Sequence, residues 1–400
     1  MAGGMSARTI AELIAVVGAL GLVALLLQPL STRLRLPDPL LFLGLGIVIG
    51  GWSAARSAVT GDVVQVVGTV ALVVILADGG LRCGFRAFRR VLGPVLALGV
   101  VGTLLSFAAI ALVAHELTAL SWPAALILGA VLAPTDPAAV FSALAGQSHR
   151  VGRIGRVLEG EAGLNDPIAI ALAVGLVGVA ARGERASAGD IALDMVREGV
   201  VGVAVGVVVA LALARVLGPL RPTIRAAPAL AILAGAAVAF GGAALLHGSG
   251  FLAVYLFALV AGDRDVPDRE EVIALHTELA HLGEVAMFIL LGVSVTTVDL
   301  GNVAVDGLVL ALVLMVVLRP VLTYPTLTLF GYTRAEAVFG SLAGLRGAVP
   351  ILLASLPVAA GLAEGETILA LTAVVVFASL LVQGVPLPRV AERLHLGDTA

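Results

Sequence analysis

Apolar runs long enough to cross a bilayer recur from one end of this chain to the other, separated by short stretches that carry its polar and charged residues. Thirteen such runs can be set out, at 9–30, 38–51, 62–80, 91–115, 121–144, 157–180, 190–217, 227–246, 249–262, 271–298, 303–323, 334–358 and 366–384. The second and ninth are short for a full crossing and are expected to be half-buried or steeply embedded. The pattern predicts an all-α polytopic membrane protein of about thirteen transmembrane helices, because in lipid a helix satisfies its own backbone hydrogen bonds. Composition agrees: 60% of the residues are hydrophobic and only 13% charged, unlike a soluble domain.

The loops between runs fall into two sets of unequal charge. One holds Arg33, Arg35, Arg82, Arg86, Arg89, Arg90, Arg150, Arg153 and Arg156, then Arg215, Arg221, Arg225, Arg264, Arg269, Arg319, Arg334, Arg389 and Arg393. The other holds Arg8, Arg56, Arg182 and Arg185, with Arg197 near its edge. The positive-inside rule then predicts a cell-membrane protein with an external N-terminus and a cytoplasmic C-terminus, and Trp52 and Trp122 fall at the outer edge. The first run resembles a retained span more than a cleaved signal. The single Cys83 leaves no intrachain disulfide and no metal cluster, and no basic stretch laced with aromatics suggests nucleic acid.

Runs one to six begin outside and runs eight to thirteen begin inside. With run seven (190–217) as a linker, two six-helix repeats at about 9–180 and 227–384 are related by inversion, a plan known for secondary transporters. The fifth member of each repeat is interrupted. Run five carries Ala133-Pro134-Thr135-Asp136-Pro137, and run twelve carries Gly344-Leu345-Arg346-Gly347-Ala348-Val349-Pro350. Proline removes an N–H and clashes with the carbonyl four residues back, so both helices are expected to break and cross at mid-membrane.

Glu159-Gly160-Glu161-Ala162-Gly163-Leu164-Asn165-Asp166-Pro167 places three carboxylates and an amide inside an apolar run. A charge near the bilayer centre costs at least about 2.5–3.5 kcal/mol, so intramembrane acids usually serve ions or protons, and Asp166 stands first among these. Pro167 frees the carbonyl of Gly163, and Pro137 that of Ala133. Carboxylate, amide and free carbonyl oxygens suit a hard monovalent cation, by analogy with other hard-cation sites. The candidate set is Asp166 and Asn165, to which Thr135 can add a hydroxyl. Asp136 can be a ligand or can cap the helix after the break, which is the commoner work for an Asp there. Arg346 is the one arginine expected deep in the membrane; it needs a carboxylate, and Glu161 is the partner expected, as a structural pair. Asp78, one turn from Arg82, and Glu284, close to His281, are possible accessory acids.

Taken together, these motifs resemble the electroneutral branch of the monovalent cation:proton antiporters, bacterial sodium/proton or potassium/proton exchangers related to the animal sodium/proton exchangers. The resemblance covers the whole chain, including Asp78-Gly79-Gly80 and Glu284 ahead of Phe288-Ile289-Leu290-Leu291-Gly292-Val293-Ser294. It implies a thirteen-span homodimer in the lipid bilayer, with a dimerisation domain and a moving core. It also implies that Asp166 binds the ion or proton, that Thr135 assists, and that Glu161 pairs with Arg346. Transported Na+ or K+ and H+ are the ligands expected, with no cofactor. Two departures stand out: Ala162 occupies a position where the family commonly has Ser, and no cytoplasmic regulatory domain is expected within this chain. Because Asn165 is neutral, one carboxylate changes charge through the cycle, which predicts one-for-one exchange with cation and proton competing for Asp166. An intramembrane aspartyl protease using Asp136 and Asp166 is a rival reading, although the Tyr-Asp and Gly-x-Gly-Asp motifs of such enzymes are missing. A cation channel is the other, disfavoured by the inverted, broken helices.

Overall fold

The structure, a computed structural model, describes residues 36–144, 151–182, 188–217, 227–263 and 269–396, with scattered positions between 21 and 34. The expected first span at 9–30 therefore lies outside the described residues, apart from those positions. Every regular element among the described residues is a helix. Those used below are α1 (Asp38–Gly50), α2 (Gly61–Cys83), α3 (Leu92–Leu117), α4 (Trp122–Leu132), α5 (Pro137–Ala143), α6 (Gly152–Arg182) and α7 (Ala188–Leu217). They continue with α8 (Ala227–Leu245), α9 (Gly250–Ala261), α10 (Arg269–Val295), α11 (Ala304–Leu329), α12 (Arg334–Leu342), α13 (Ala348–Ala359) and α14 (Gly365–Arg393).

Eight of these helices are long and apolar enough to cross a membrane, and the α4–α5 pair, bent by 50°, brings the number to nine. The shorter apolar helices are α1, α9 and α13. At 1.5 Å per residue, the 13 residues of α1 reach only about 20 Å, short of a hydrocarbon core about 30 Å thick. α3, α11 and α14 each contain a π turn, at Ala97–Gly102, Leu314–Leu318 and Leu380–Gly384.

Helix starts follow local chemistry. Thr333 and Glu336 form a reciprocal capping box at α12, and Ser249 accepts from the Leu252 N–H at α9. α7, α8 and α9 pack on one another, and α9 also on α2; α1 packs against α10, which in turn packs on α2. α6 packs mainly against α3 and α4; α11 packs on α12 and α14, and α13 and α14 pack on each other and on α4. Large apolar side chains such as Leu193, Val196, Val200, Val238 and Leu245 point outward, as a lipid-facing surface requires. Polar side chains are instead drawn inward: Asp78, Thr135, Asp136, Glu161, Asn165, Asp166, Glu284, Arg319 and Arg346 are all buried.

Candidate functional site

The chain leaves helix at 133–136 and again at 343–347, and these two breaks touch. Asp136 joins them. Its backbone N–H donates to the Leu345 carbonyl at 2.8 Å, Oδ1 accepts from Ala139 N at 3.1 Å, and Oδ2 accepts from Ala348 N at 3.0 Å. One carboxylate thus caps both α5 and α13, supplying oxygen to N–H groups that no helical carbonyl can reach. Gly347 permits this approach, because a Cβ there would collide with Asp136 Oδ2.

α6 runs past the crossing without interruption, carrying Pro167 inside it. Asn165 Nδ2 donates to Thr135 Oγ1 at 2.9 Å, tying α6 to the first break, while Asn165 Oδ1 has no hydrogen-bond partner. Asp166, 4% exposed, has an oxygen, Oδ1, that is buried and unpartnered. A cavity of about 390 Å³ reaches this carboxylate.

Among the described residues, seven carboxylates line that cavity against Arg82 and His281. Asp78, Asp136, Asp166 and Glu284 are buried, Asp38 and Glu159 are half-buried, and Glu278 is exposed. Such a wall concentrates cations. Asp78 accepts from Thr277 Oγ1 at 2.7 Å and pairs with Arg82 at 3.0 Å. Glu284 Oε2 stands 3.8 Å from His281 Nδ1, and its Oε1 is without a partner. Asp166, Asp136, Asp78 and Glu284 therefore share one cavity, whereas Thr135 and Asn165 do not line it.

The expected Glu161–Arg346 pair is corrected. Glu161 is held by Arg319: Nη2 donates to Oε2 at 2.9 Å, Nη1 donates to Oε1, and Nη2 also donates to the Gly340 carbonyl at 3.3 Å. Arg346 instead reaches the Gly344 carbonyl at 3.4 Å, and its own N–H donates to Ser379 Oγ at 3.0 Å. The physical reason is the length of α11. It runs on to Leu329, so Arg319 lies within the membrane helix, 8% exposed, instead of in the cytoplasmic loop expected from a span ending at 323. The signal was present in the sequence, since the run after Arg319 continues through Val321, Leu322 and Tyr324 to Phe330 without a charge. Tyr255 and Thr277, both lining the cavity, were also missed; neither stands out in an apolar or amphipathic run.

A buried, acid-lined cavity on which Asp166 and Glu284 each present an unpartnered oxygen, beside two crossed helix breaks, is the arrangement of a secondary transporter in place of an enzyme. Residues 21–393 match the family described as sodium/hydrogen exchanger, transmembrane, and the chain belongs to that family. It is thus an antiporter of monovalent cations and protons, which displaces both the protease and the channel readings. It is similar to the K(+)/H(+) antiporter NhaP2 of Shewanella baltica, 32% identical over 392 residues, covering 97% of this chain and 68% of the relative. It is likewise similar to the K(+)/H(+) antiporter NhaP of Alkalimonas amylolytica, 33% identical over 387 residues, covering 96% and 67%. Its fold is that of the sodium proton antiporter MjNhaP1 from Methanocaldococcus jannaschii, with a TM-score of 0.80 at 23% identity, covering 96% of this chain and 99% of that one.

Proposed function

We propose that the protein exchanges Na+ or K+ for H+ one for one across the cell membrane, by alternating access of a single site at Asp166. The observation that carries this reading is the buried, unpartnered Asp166 oxygen on the cavity wall, on the helix that also carries Asn165. A carboxylate held so, without a donor, calls for a proton or a cation. Asn165 and Thr135 hold the neighbouring backbone and offer neutral oxygens, Asp136 fixes the crossing, and Asp78 and Glu284 guide cations inward. Relatives named K(+)/H(+) antiporters make potassium the first cation to try, with sodium beside it.

Charge balance supports electroneutrality. The crossing buries three carboxylates (Asp136, Glu161, Asp166) against two guanidiniums (Arg319, Arg346). Both oxygens of Asp136 accept from N–H groups and Glu161 faces a guanidinium, so each serves as an anion. The cluster is then neutral when Asp166 holds one proton or one monovalent cation, and carries −1 when Asp166 is empty. A buried net charge is costly, so the empty site resists reorientation.

The thirteen-span count, the inverted repeats, the external N-terminus and cytoplasmic C-terminus, and the homodimer belong to the same proposal. The repeats gain support from matched irregularities: π turns in α3 and α11, breaks after α4 and α12, and short helices α1 and α9. The test is Asp166→Asn, assayed by dequenching of a pH dye in everted vesicles with sodium and potassium titrated separately. The variant should fold and show no exchange, while the parent's apparent cation affinity should weaken as pH falls. Substantial cation-driven proton movement in the variant would remove Asp166 from the mechanism.

A further inference from the structure

Tyr255 on α9 is 1% exposed, and its phenol reaches across to α6. The hydroxyl-bearing end of the ring rests on Gly163, where a Cβ would fall among Cζ, Cε1 and Cε2. Both residues line the cavity that Asp166 also lines. Yet the Tyr255 hydroxyl is buried with no hydrogen-bond partner. A buried phenol normally finds one, so the hydroxyl is left uncompensated in the present conformation.

The ring is fixed from its own side. α9 packs on α2, α7 and α8, Gly80 of α2 lies against the Tyr255 carbonyl, and Phe88 meets the ring edge-on at 6.2 Å. α6 packs chiefly elsewhere, on α3 and α4. Glu159, Gly163 and Asp166 lie at i, i+4 and i+7 on α6, one stripe facing the cavity. Glu159 is half-buried and makes no hydrogen bond or close ion pair among the described residues, although Arg82 and Arg156 lie near enough to act on its charge. A displacement of α6 along its axis by one turn, about 5.4 Å, exchanges Gly163 for Glu159 opposite the phenol.

We propose that Tyr255 is a positioning residue of the transport cycle: its phenol rests unpaired on Gly163 while the cavity is open and hydrogen-bonds Glu159 once α6 has moved one turn. This rests on the alternating-access reading of Asp166. The displacement carries Asp166 one turn further from the ring, so that the Tyr255–Glu159 contact stands between Asp166 and the Glu159 end of the cavity. The Tyr255–Glu159 bond then offsets the loss of the open vestibule, and the unpaired hydroxyl keeps the open state from becoming a trap.

The experiment is thiol labelling of Ala138→Cys, on the cavity wall, in the full-length Cys83→Ala protein in proteoliposomes. Tyr255→Phe keeps the ring and loses the bond, so the open state should gain and labelling should speed up by roughly tenfold. Glu159→Ala should do the same, and the double variant should label no faster than either single one. Glu159→Gln keeps an acceptor oxygen and should label near the parent rate. An unchanged rate in Tyr255→Phe, single effects that multiply in the double variant, or Glu159→Gln labelling like Glu159→Ala would each overturn the proposal. A merely structural Tyr255 would lower the melting temperature without moving the labelling rate. If Asp166→Asn retains exchange, the site reading itself falls; if that variant is inactive and labelling does not move, only the Tyr255 step falls.

Discussion

Glu161 and Arg319 pair through two hydrogen bonds inside the membrane, with Arg346 close by on the second helix break. Removing Arg319 strands a buried carboxylate, and breaking such a pair costs about 3–5 kcal/mol. Arg319→Ala should therefore lower the melting temperature markedly, and adding Glu161→Ala should recover part of the loss. Arg346→Ala should cost less than Arg319→Ala, because Arg346 makes no ion pair with Glu161. Thermal unfolding in detergent decides the order; additive losses for Arg319 and Glu161 would show that they act independently. The buried carboxylates were legible at this scale because an acid inside an apolar run demands an explanation wherever it occurs. Pairing was not. Whether Glu161 meets Arg346 or Arg319 depends on how deep α11 carries its arginine, and no local pattern reports depth.

Two breaks built from proline and glycine were legible as elements, since Pro134, Pro137 and the Gly344–Gly347 stretch cannot continue a helix cleanly. Their mutual contact was not, because Asp136 reaches Ala348 across more than two hundred residues of sequence. The π turns of α3 and α11 were also hidden, as no residue type marks them. The crossing yields a sharp expectation at Gly347. A methyl group there displaces the Asp136 carboxylate from the Ala348 N–H, so Gly347→Ala loses a charge-assisted bond. It should cost about 1–3 kcal/mol of stability. Unfolding followed by the fluorescence of Trp52 and Trp122 measures it; a variant as stable as the parent would mean that the two breaks do not depend on this contact. Arg153 and Glu336 join α6 to α12 through a bidentate pair, but Arg153 is 43% exposed, so that link contributes at most about 1 kcal/mol.

For the whole molecule, long apolar runs were sufficient to establish a polytopic helical membrane protein, and most helix positions follow them. Among the described residues eight helices, or nine with the bent pair, are long and apolar enough to cross a membrane, and the runs at 38–51, 249–262 and 334–358 appear there as short or broken helices outside that number. A linear reading of hydropathy cannot weigh them, because it does not report how far such short segments are covered by neighbouring helices. The central claim is that one neutralising ligand, proton or monovalent cation, crosses with Asp166 in each direction. Purified protein in proteoliposomes tests it directly, with equal cation and proton concentrations on both sides and a membrane potential imposed by a separate ion gradient. The account predicts no cation-coupled proton flux under potential alone, and exchange only when a cation or pH gradient is added. Steady proton movement driven by the potential, dependent on the cation and absent in Asp166→Asn, would contradict it.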